Sequence, residues 1–389
     1  MTEPAPVADI VSELRELVAF DTTSRASNLE LLAHVEARLD AHGVTHERVM
    51  DATGTKANLL ARIGPAEPGG VVLTGHTDCV PVDGQTWTTD PFSLVESDGR
   101  LVGRGTADMK GFLAVVLASL PRLVATPIAV PILLVLTYDE EIGTVGAPSA
   151  VDHLLATQPR PSAVIVGEPT SMHPVTAHKG VRAFRTTVEG RDGHSSQPQL
   201  AANAIAALVR IASFIDDLAS RHREAAADPR FTPPYTTFNL ATIRGGQAIN
   251  IVPRHAELTW EYRPVPADDS IAIVDAVTAF TDEQVLPRLR ATTGNGLVRF
   301  EPTAIARGLE AEPDGEAERL IRTLTGSDQP SGTVPFGTDG GHFQAAGLST
   351  VVCGPGSIEQ AHQADEWIDP RQLEQCADTV ARLAQRLAA

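Results

Sequence analysis

Residues 71–81 read Val-Val-Leu-Thr-Gly-His-Thr-Asp-Cys-Val-Pro, an apolar run that halts on a histidine and an aspartate two positions apart. A strand buried on both faces reads as near-continuous Val and Leu, and in open α/β sheets ligands collect beyond the carboxyl ends of such strands. His76 and Asp78 fall at that end. Their spacing puts both side chains on one side of an extended backbone, so an imidazole and a carboxylate can face one cavity. For an isolated His-x-Asp, a core histidine beside a turn-forming aspartate is the favoured explanation, so the reading turns on what the other strand ends carry.

Two further runs end in the same way. Residues 130–137 are apolar and lead into Tyr-Asp-Glu140-Glu141-Ile-Gly, and residues 163–166 lead into Gly-Glu168-Pro-Thr. Residues 103–111, Gly-Arg-Gly-Thr-Ala-Asp-Met-Lys-Gly, run into an apolar helical stretch, which puts Asp108 at a helix start, where the ordinary role is an N-cap. Strand ends that are acidic or His, interleaved with helices in a βα pattern, make a shared acidic crevice the economical reading.

Helical spacing of apolar residues predicts helices at 7–20 and 28–42, followed by a strand at 58–63. From residue 181 the pattern changes to strand 181–189, a polar loop around His194, helix 201–222, strands 236–243 and 255–262, helix 271–289 and strand 297–302. That βαββαβ order predicts a ferredoxin-like unit. The first pattern then resumes, with a helix at 316–325, a strand at 350–353, the segment reaching His362 and a last helix at 370–387. The predicted fold is α/β. A mixed, mostly parallel sheet flanked by helices forms a catalytic domain from 1–180 and 304–389, with an α+β lid and dimerisation domain inserted at 181–303.

A net charge of −18 over 389 residues disfavours nucleic acid and anionic membranes as partners and leaves small molecules. The longest apolar run, 128–136, is far shorter than the roughly 20 residues of a membrane helix. Acidic residues scattered through the first turns argue against a secretory signal, and Cys79, Cys353 and Cys376 make no disulfide framework, so a cytoplasmic location is expected.

Collected, His76, Asp108, Glu141, Glu168 and His362 offer two imidazoles and three carboxylates, with Asp78 and Glu140 beside them. That donor set suits zinc or a neighbouring divalent ion, with cobalt and manganese as alternatives. Five ligands exceed the three protein ligands typical of one catalytic zinc, and a carboxylate can bridge a pair of ions about 3.5–4 Å apart. Two divalent ions are therefore expected, with a bridging hydroxide as nucleophile. If extended, Glu140 and Glu141 face opposite sides, so one should bind metal and the other act as a base. Asp78 is expected to accept the free N–H of His76.

Together, residues 75–81, 103–111, 139–141, 167–170 and 193–195 resemble the zinc amidohydrolase and metallopeptidase family that includes acetylornithine deacetylase, succinyl-diaminopimelate desuccinylase, aminoacylase and glutamate carboxypeptidase. Residues 87–92, 168–180 and 354–363 are similar to the acetylornithine deacetylase branch, whereas 336–340 follow the general family pattern. The resemblance implies that Asp108 bridges two ions, with His76 and Glu168 on one and Glu141 and His362 on the other. It implies Glu140 as general base, and His194 as a lid residue that reaches the partner subunit's active site in a homodimer. Asn250 and Arg263 would hold substrate, and Thr338 and Gly356 would lie near its carboxylate. The implied reaction is hydrolysis of an N-acyl-L-amino acid, N-acetyl-L-ornithine to L-ornithine and acetate in arginine synthesis, with succinyl-diaminopimelate, another acylated amino acid or a dipeptide as alternative substrates. A non-catalytic module on this fold would be expected to have lost ligands, and here the set is complete.

Overall fold

Four strands whose residues are buried at every position, Val71–His76, Ile132–Thr137, Ala163–Pro169 and Thr350–Gly354, form the centre of an eight-stranded sheet. They run parallel to one another, as strands covered on both faces must, and His76 lies opposite Thr137 in register. Antiparallel Ala57–Ile63 and Thr45–Met50 extend one side, and Val175–His178 and Gly332–Val334 the other. The structure is a computed structural model in which residues 2–226, 228–291 and 294–388 are described. The chain divides into two units, the first comprising Met1–Ala177, Leu309–Thr333 and Thr338–Ala389, the second His178–Gly308 with Val334–Gly337.

In the first unit, helices Val7–Ala19, Leu29–Ala41, Gly111–Ala125 and Pro370–Arg386 share one core with the sheet. Gly111–Ala125 is apolar almost all round and correspondingly buried, whereas Pro370–Arg386 buries only a stripe through Leu373, Cys376, Val380 and Leu383. Strand Thr45–Met50 and helix Ala147–Thr157 were not anticipated. The strand is polar and half-exposed, so it lacks an apolar signature. The helix starts on Ala-Pro-Ser directly after a glycine-containing loop, which reads locally as turn.

The second unit is a four-stranded antiparallel sheet in the order Thr237–Gly245, His255–Arg263, Val181–Glu189, Leu297–Ala306. Its βαββαβ connectivity makes it ferredoxin-like. Alternation puts Ala256, Leu258, Trp260 and Tyr262 into a core with Leu208, Ile211 and Ile215 of helix Ala204–Ala225. Trp260 stacks on Phe184 with ring centroids 5.1 Å apart and donates from Nε1 to Thr186 Oγ1 at 2.9 Å, so its one polar atom is satisfied in the core. The helix expected at 271–289 is interrupted. Ser270–Phe280 gives way to a wider turn at Thr281–Val285 before Leu286–Arg290, and the Thr281 hydroxyl donates back to the Val277 carbonyl at 2.8 Å.

Among the described residues no helix is long and apolar enough to cross a membrane, and the three cysteines are free and buried.

Close packing reaches the strand ends that carry the acidic residues. A Cβ added at Gly167, the residue before Glu168, would lie 2.2 Å from the Phe112 ring. Gly167→Ala is therefore expected to lower stability by about 1–3 kcal/mol in urea unfolding. Phe112→Leu in the same chain should return part of that loss, because the clash is with the ring; additive losses would show that the cause lies elsewhere.

Candidate metal centre

The parallel strands deliver their ends to one place. His76 is the last residue of Val71–His76, and its Nε2 lies 2.9 Å from Asp108 Oδ1 and 3.6 Å from Glu168 Oε1. On the other side of Asp108, Oδ2 lies 3.3 Å from His362 Nε2, which is itself 2.9 Å from Glu141 Oε2. Two clusters, His76–Asp108–Glu168 and Asp108–Glu141–His362, thus share Asp108, and within each the donor atoms lie within 4.8 Å of one another. All five side chains predicted as ligands converge.

Asp108 is not a helix cap. The helix begins at Gly111, and Asp108 sits before it at φ −124°, ψ 94° in the turn Thr106–Lys110, with its carboxylate turned to the two imidazoles. The detail at Asp78 also differs from expectation. His76 Nδ1 is 2.8 Å from the backbone carbonyl of Asp78 and 3.6 Å from its carboxylate. That carboxylate instead accepts from the Ser24 hydroxyl at 2.8 Å and from the backbone N–H groups of Glu140 and Glu141 at 3.1 and 3.3 Å. It therefore holds the turn that presents both glutamates. The turn is further pinned at Asp139, whose φ of 54° is left-handed and whose carboxylate accepts from Lys56 Nζ at 2.5 Å.

The electrostatics explain why such a group of acids needs cations. Burial, with the charge of the neighbouring acids, pushes Glu140 and Glu168 well above the usual carboxylate range and Glu141 up to about 7. Burial also acts on Asp108, but hydrogen bonds from His362 and His76 outweigh it and hold that carboxyl well below its usual value. Hydrogen bonds to Asp108 and Glu141 raise His362 to about 10, and the same kind of contact outweighs burial at His76 and raises it well above normal. Glu141 Oε1 is buried with no hydrogen-bond partner among the described residues. An oxygen left bare in a cluster with the His362 imidazole and the Asp108 carboxylate is what a cation would satisfy, and the mixed nitrogen and oxygen donors fit divalent transition ions.

The other predicted residues fall in different places. Thr338 is buried, and its hydroxyl accepts from Gly340 N at 3.0 Å at the start of a short helix. Gly356, at φ +87°, packs where a Cβ would lie 3.3 Å from Ala107 Cα, so glycine there lets the chain lie against the Asp108 turn. His194, Asn250 and Arg263 belong to the second unit. His194 is exposed and accepts at Nδ1 from the backbone N–H of Ser196 at 3.1 Å. Asn250 is exposed, and Arg263 Nε donates to Glu261 at 3.1 Å.

Three site residues were missed. Asp339 is buried with Oδ2 accepting from Thr137 Oγ1 at 2.6 Å, and burial raises it to about 6. Arg104 and Glu366 form a fully buried ion pair at 2.8 Å behind the Asp108 turn. The one available signal was Arg104 itself, a cation inside a run of small residues that must find a buried partner.

Fold and donor set together define a metal-dependent hydrolase with candidate ligands for two ions at the carboxyl ends of parallel strands. Residues 72–386 match Peptidase family M20/M25/M40, and the chain belongs to that family. It is 36% identical over 374 residues to an acetylornithine deacetylase from Myxococcus xanthus, covering 95% of each chain. It is 39% identical over 326 residues to an acetylornithine deacetylase from Pectobacterium atrosepticum, covering 83% of this chain and 82% of the relative. An M20 family metallo-carboxypeptidase from Sulfolobus solfataricus shares the fold, with a TM-score of 0.73 at 17% identity over 97% of this chain and 98% of that one.

Because His362 is raised to about 10 by its contacts with Asp108 and Glu141, and His76 is shifted in the same direction, loading divalent ions into chelator-stripped protein at pH 7.5 must displace protons. Calorimetric titration in buffers of different ionisation enthalpy should report release of about one proton or more per chain. Apparent affinity should rise with pH up to about 10. Metal binding with no proton release would contradict this arrangement of ligands.

Proposed function

We propose that this chain hydrolyses the amide bond of an N-acyl-L-amino acid, with N-acetyl-L-ornithine as the preferred substrate, releasing L-ornithine and acetate. The observation that carries the reading is Asp108, which offers one carboxylate oxygen to each of two imidazoles, with Glu168 and Glu141 completing the two clusters. The choice of substrate follows the relatives, several of which are named acetylornithine deacetylase at 36–39% identity over most of this chain. His76, Asp108 and Glu168 would hold one divalent ion and Asp108, Glu141 and His362 the other, with zinc the ion that two imidazoles and three carboxylates suit best.

When bound, such a pair acidifies water and polarises a carbonyl. Glu140 would take the proton from the attacking water on its carboxylate and return it to the leaving amine nitrogen. Burial beside Glu168 raises its pKa in the direction that makes a carboxylate a competent base near neutral pH. In the neutral His194 ring, Nδ1 accepts from Ser196, so the proton sits on Nε2, where it can be donated to a carbonyl oxygen as negative charge develops. Asn250 and Arg263, in the same unit, would hold the substrate, and Thr338 and Gly356 would border its carboxylate.

A homodimer through the second unit fits its surface. Edge strand Thr237–Gly245 is exposed along most of its length, with Leu240 and Ile243 outward and Ile249 fully exposed in the following loop. Unpaired edges with apolar side chains invite a second copy. The reaction would serve arginine synthesis in the cytoplasm.

On metal-loaded protein, acetylornithine should turn over faster than succinyl-diaminopimelate or dipeptides; an inert acetylornithine would overturn the substrate assignment. Glu140→Gln should lower kcat by about 10²-fold or more with metal content intact, and unchanged turnover would remove Glu140 as base. Mixing inactive His194→Ala and Glu140→Gln subunits should restore part of the activity if His194 acts across the dimer. Mixtures as inactive as their components would place its action within one chain or nowhere.

A further inference from the structure

Of the five candidate ligands, His362 is the one with least obvious support. Its side chain is 51% exposed, whereas His76, Asp108, Glu141 and Glu168 are all 6% exposed or less. It sits on an irregular segment between residues 360 and 367 with a left-handed φ of 62°. A non-glycine residue held in that conformation needs neighbours that over-determine it.

The neighbour is Gln85. Its Nε2 donates to the His362 carbonyl at 2.9 Å, and its Oε1 accepts from Trp87 Nε1 at 3.0 Å and from Arg104 Nη2 at 2.5 Å. Two donors on one end of the amide fix which end is oxygen, so the other end must donate. Arg104 Nη1 donates to Glu366 Oε2 at 2.8 Å, and both residues are fully buried. The Glu366 carboxylate then accepts from the backbone N–H groups of Gly105 at 2.9 Å, Ala107 at 2.9 Å and Asp108 at 3.0 Å. One unbroken series of hydrogen bonds therefore runs from the backbone of Asp108, through Glu366, Arg104 and Gln85, to the backbone of His362.

The asymmetry of this arrangement has a functional consequence. Asp108 is common to both clusters, whereas His362 belongs, with Glu141, to only one of them. In the other cluster, His76 and Glu168 emerge from fully buried central strands, and His76 is oriented by the Asp78 carbonyl. We propose that Gln85, Arg104 and Glu366 are positioning residues that set the spacing of Asp108 and His362, and so control affinity for the Glu141–Asp108–His362 ion selectively. The inference rests on the two-ion reading given above. Outer partners of metal ligands of this kind are typically worth about 10- to 100-fold in affinity.

The test is cobalt titration of chelator-stripped full-length chain, followed by calorimetry and by the visible absorption of bound cobalt, with elemental analysis after gel filtration. Wild type should show two binding events. Gln85→Leu, a change at a partly exposed loop position, should weaken one event by about 10- to 100-fold and leave the other within about threefold, lowering retained metal from about two ions per chain to about one. Trp87→Phe removes one donor to Gln85. It should weaken the same event by a smaller factor, and it serves if Gln85→Leu does not fold. Both events shifting together, or neither shifting in a variant that still folds, overturns the positioning role. A wild type that binds one ion or none overturns the two-ion reading instead, so the two failures are distinguishable.

Discussion

Everything at this site depends on Asp108 dividing its two carboxylate oxygens between His76 and His362. Bringing Asp108, Glu141, Glu168 and Glu140 together in a buried crevice is unfavourable on its own, because like charges in a poorly solvating environment raise each other's pKa values. The shifts at the three glutamates all run that way, whereas Asp108, with an imidazole on each side, is held low. Two divalent charges shared across one carboxylate would reverse the repulsion. The acids around them then become ligands and a base.

The sheet makes that concentration of charge possible by placing the strain outside itself. The central strands are regular and buried, and the irregular backbone lies just beyond their ends: left-handed Asp139 before the glutamate pair, left-handed His362, and the turn carrying Asp108. Each of these is tied down by a polar group outside the set of candidate ligands. Asp78 holds the backbone of Glu140 and Glu141, Lys56 holds Asp139, Gln85 holds the backbone of His362, and Glu366 holds the backbone of Asp108. Rigid strands set the positions, and buried hydrogen bonds set the orientation.

How much of this could be read in advance depended on whether a residue's role is local in the chain. His76, Glu141 and Glu168 were legible because each follows an apolar run, and the βαββαβ alternation of the second unit was legible from periodicity. The ring contacts of Asp108 were not legible from its spacing, since its helix-start position fits an N-cap as well as a ligand. The Arg104–Glu366 pair spans 262 residues and the Gln85–His362 hydrogen bond 277, so nothing in either neighbourhood announces the other. Asp78 illustrates a finer limit. Its proximity to His76 was readable, but whether the carbonyl or the carboxylate takes the hydrogen bond is decided by a turn that only the folded chain defines.

The most direct test of the account is an anomalous-difference map, collected at the absorption edge of the bound metal, on crystals of the loaded protein. Two peaks about 3.5–4 Å apart are expected, one against His76 and Glu168 and one against Glu141 and His362, with Asp108 between them. A single peak, or peaks away from these five side chains, would contradict it.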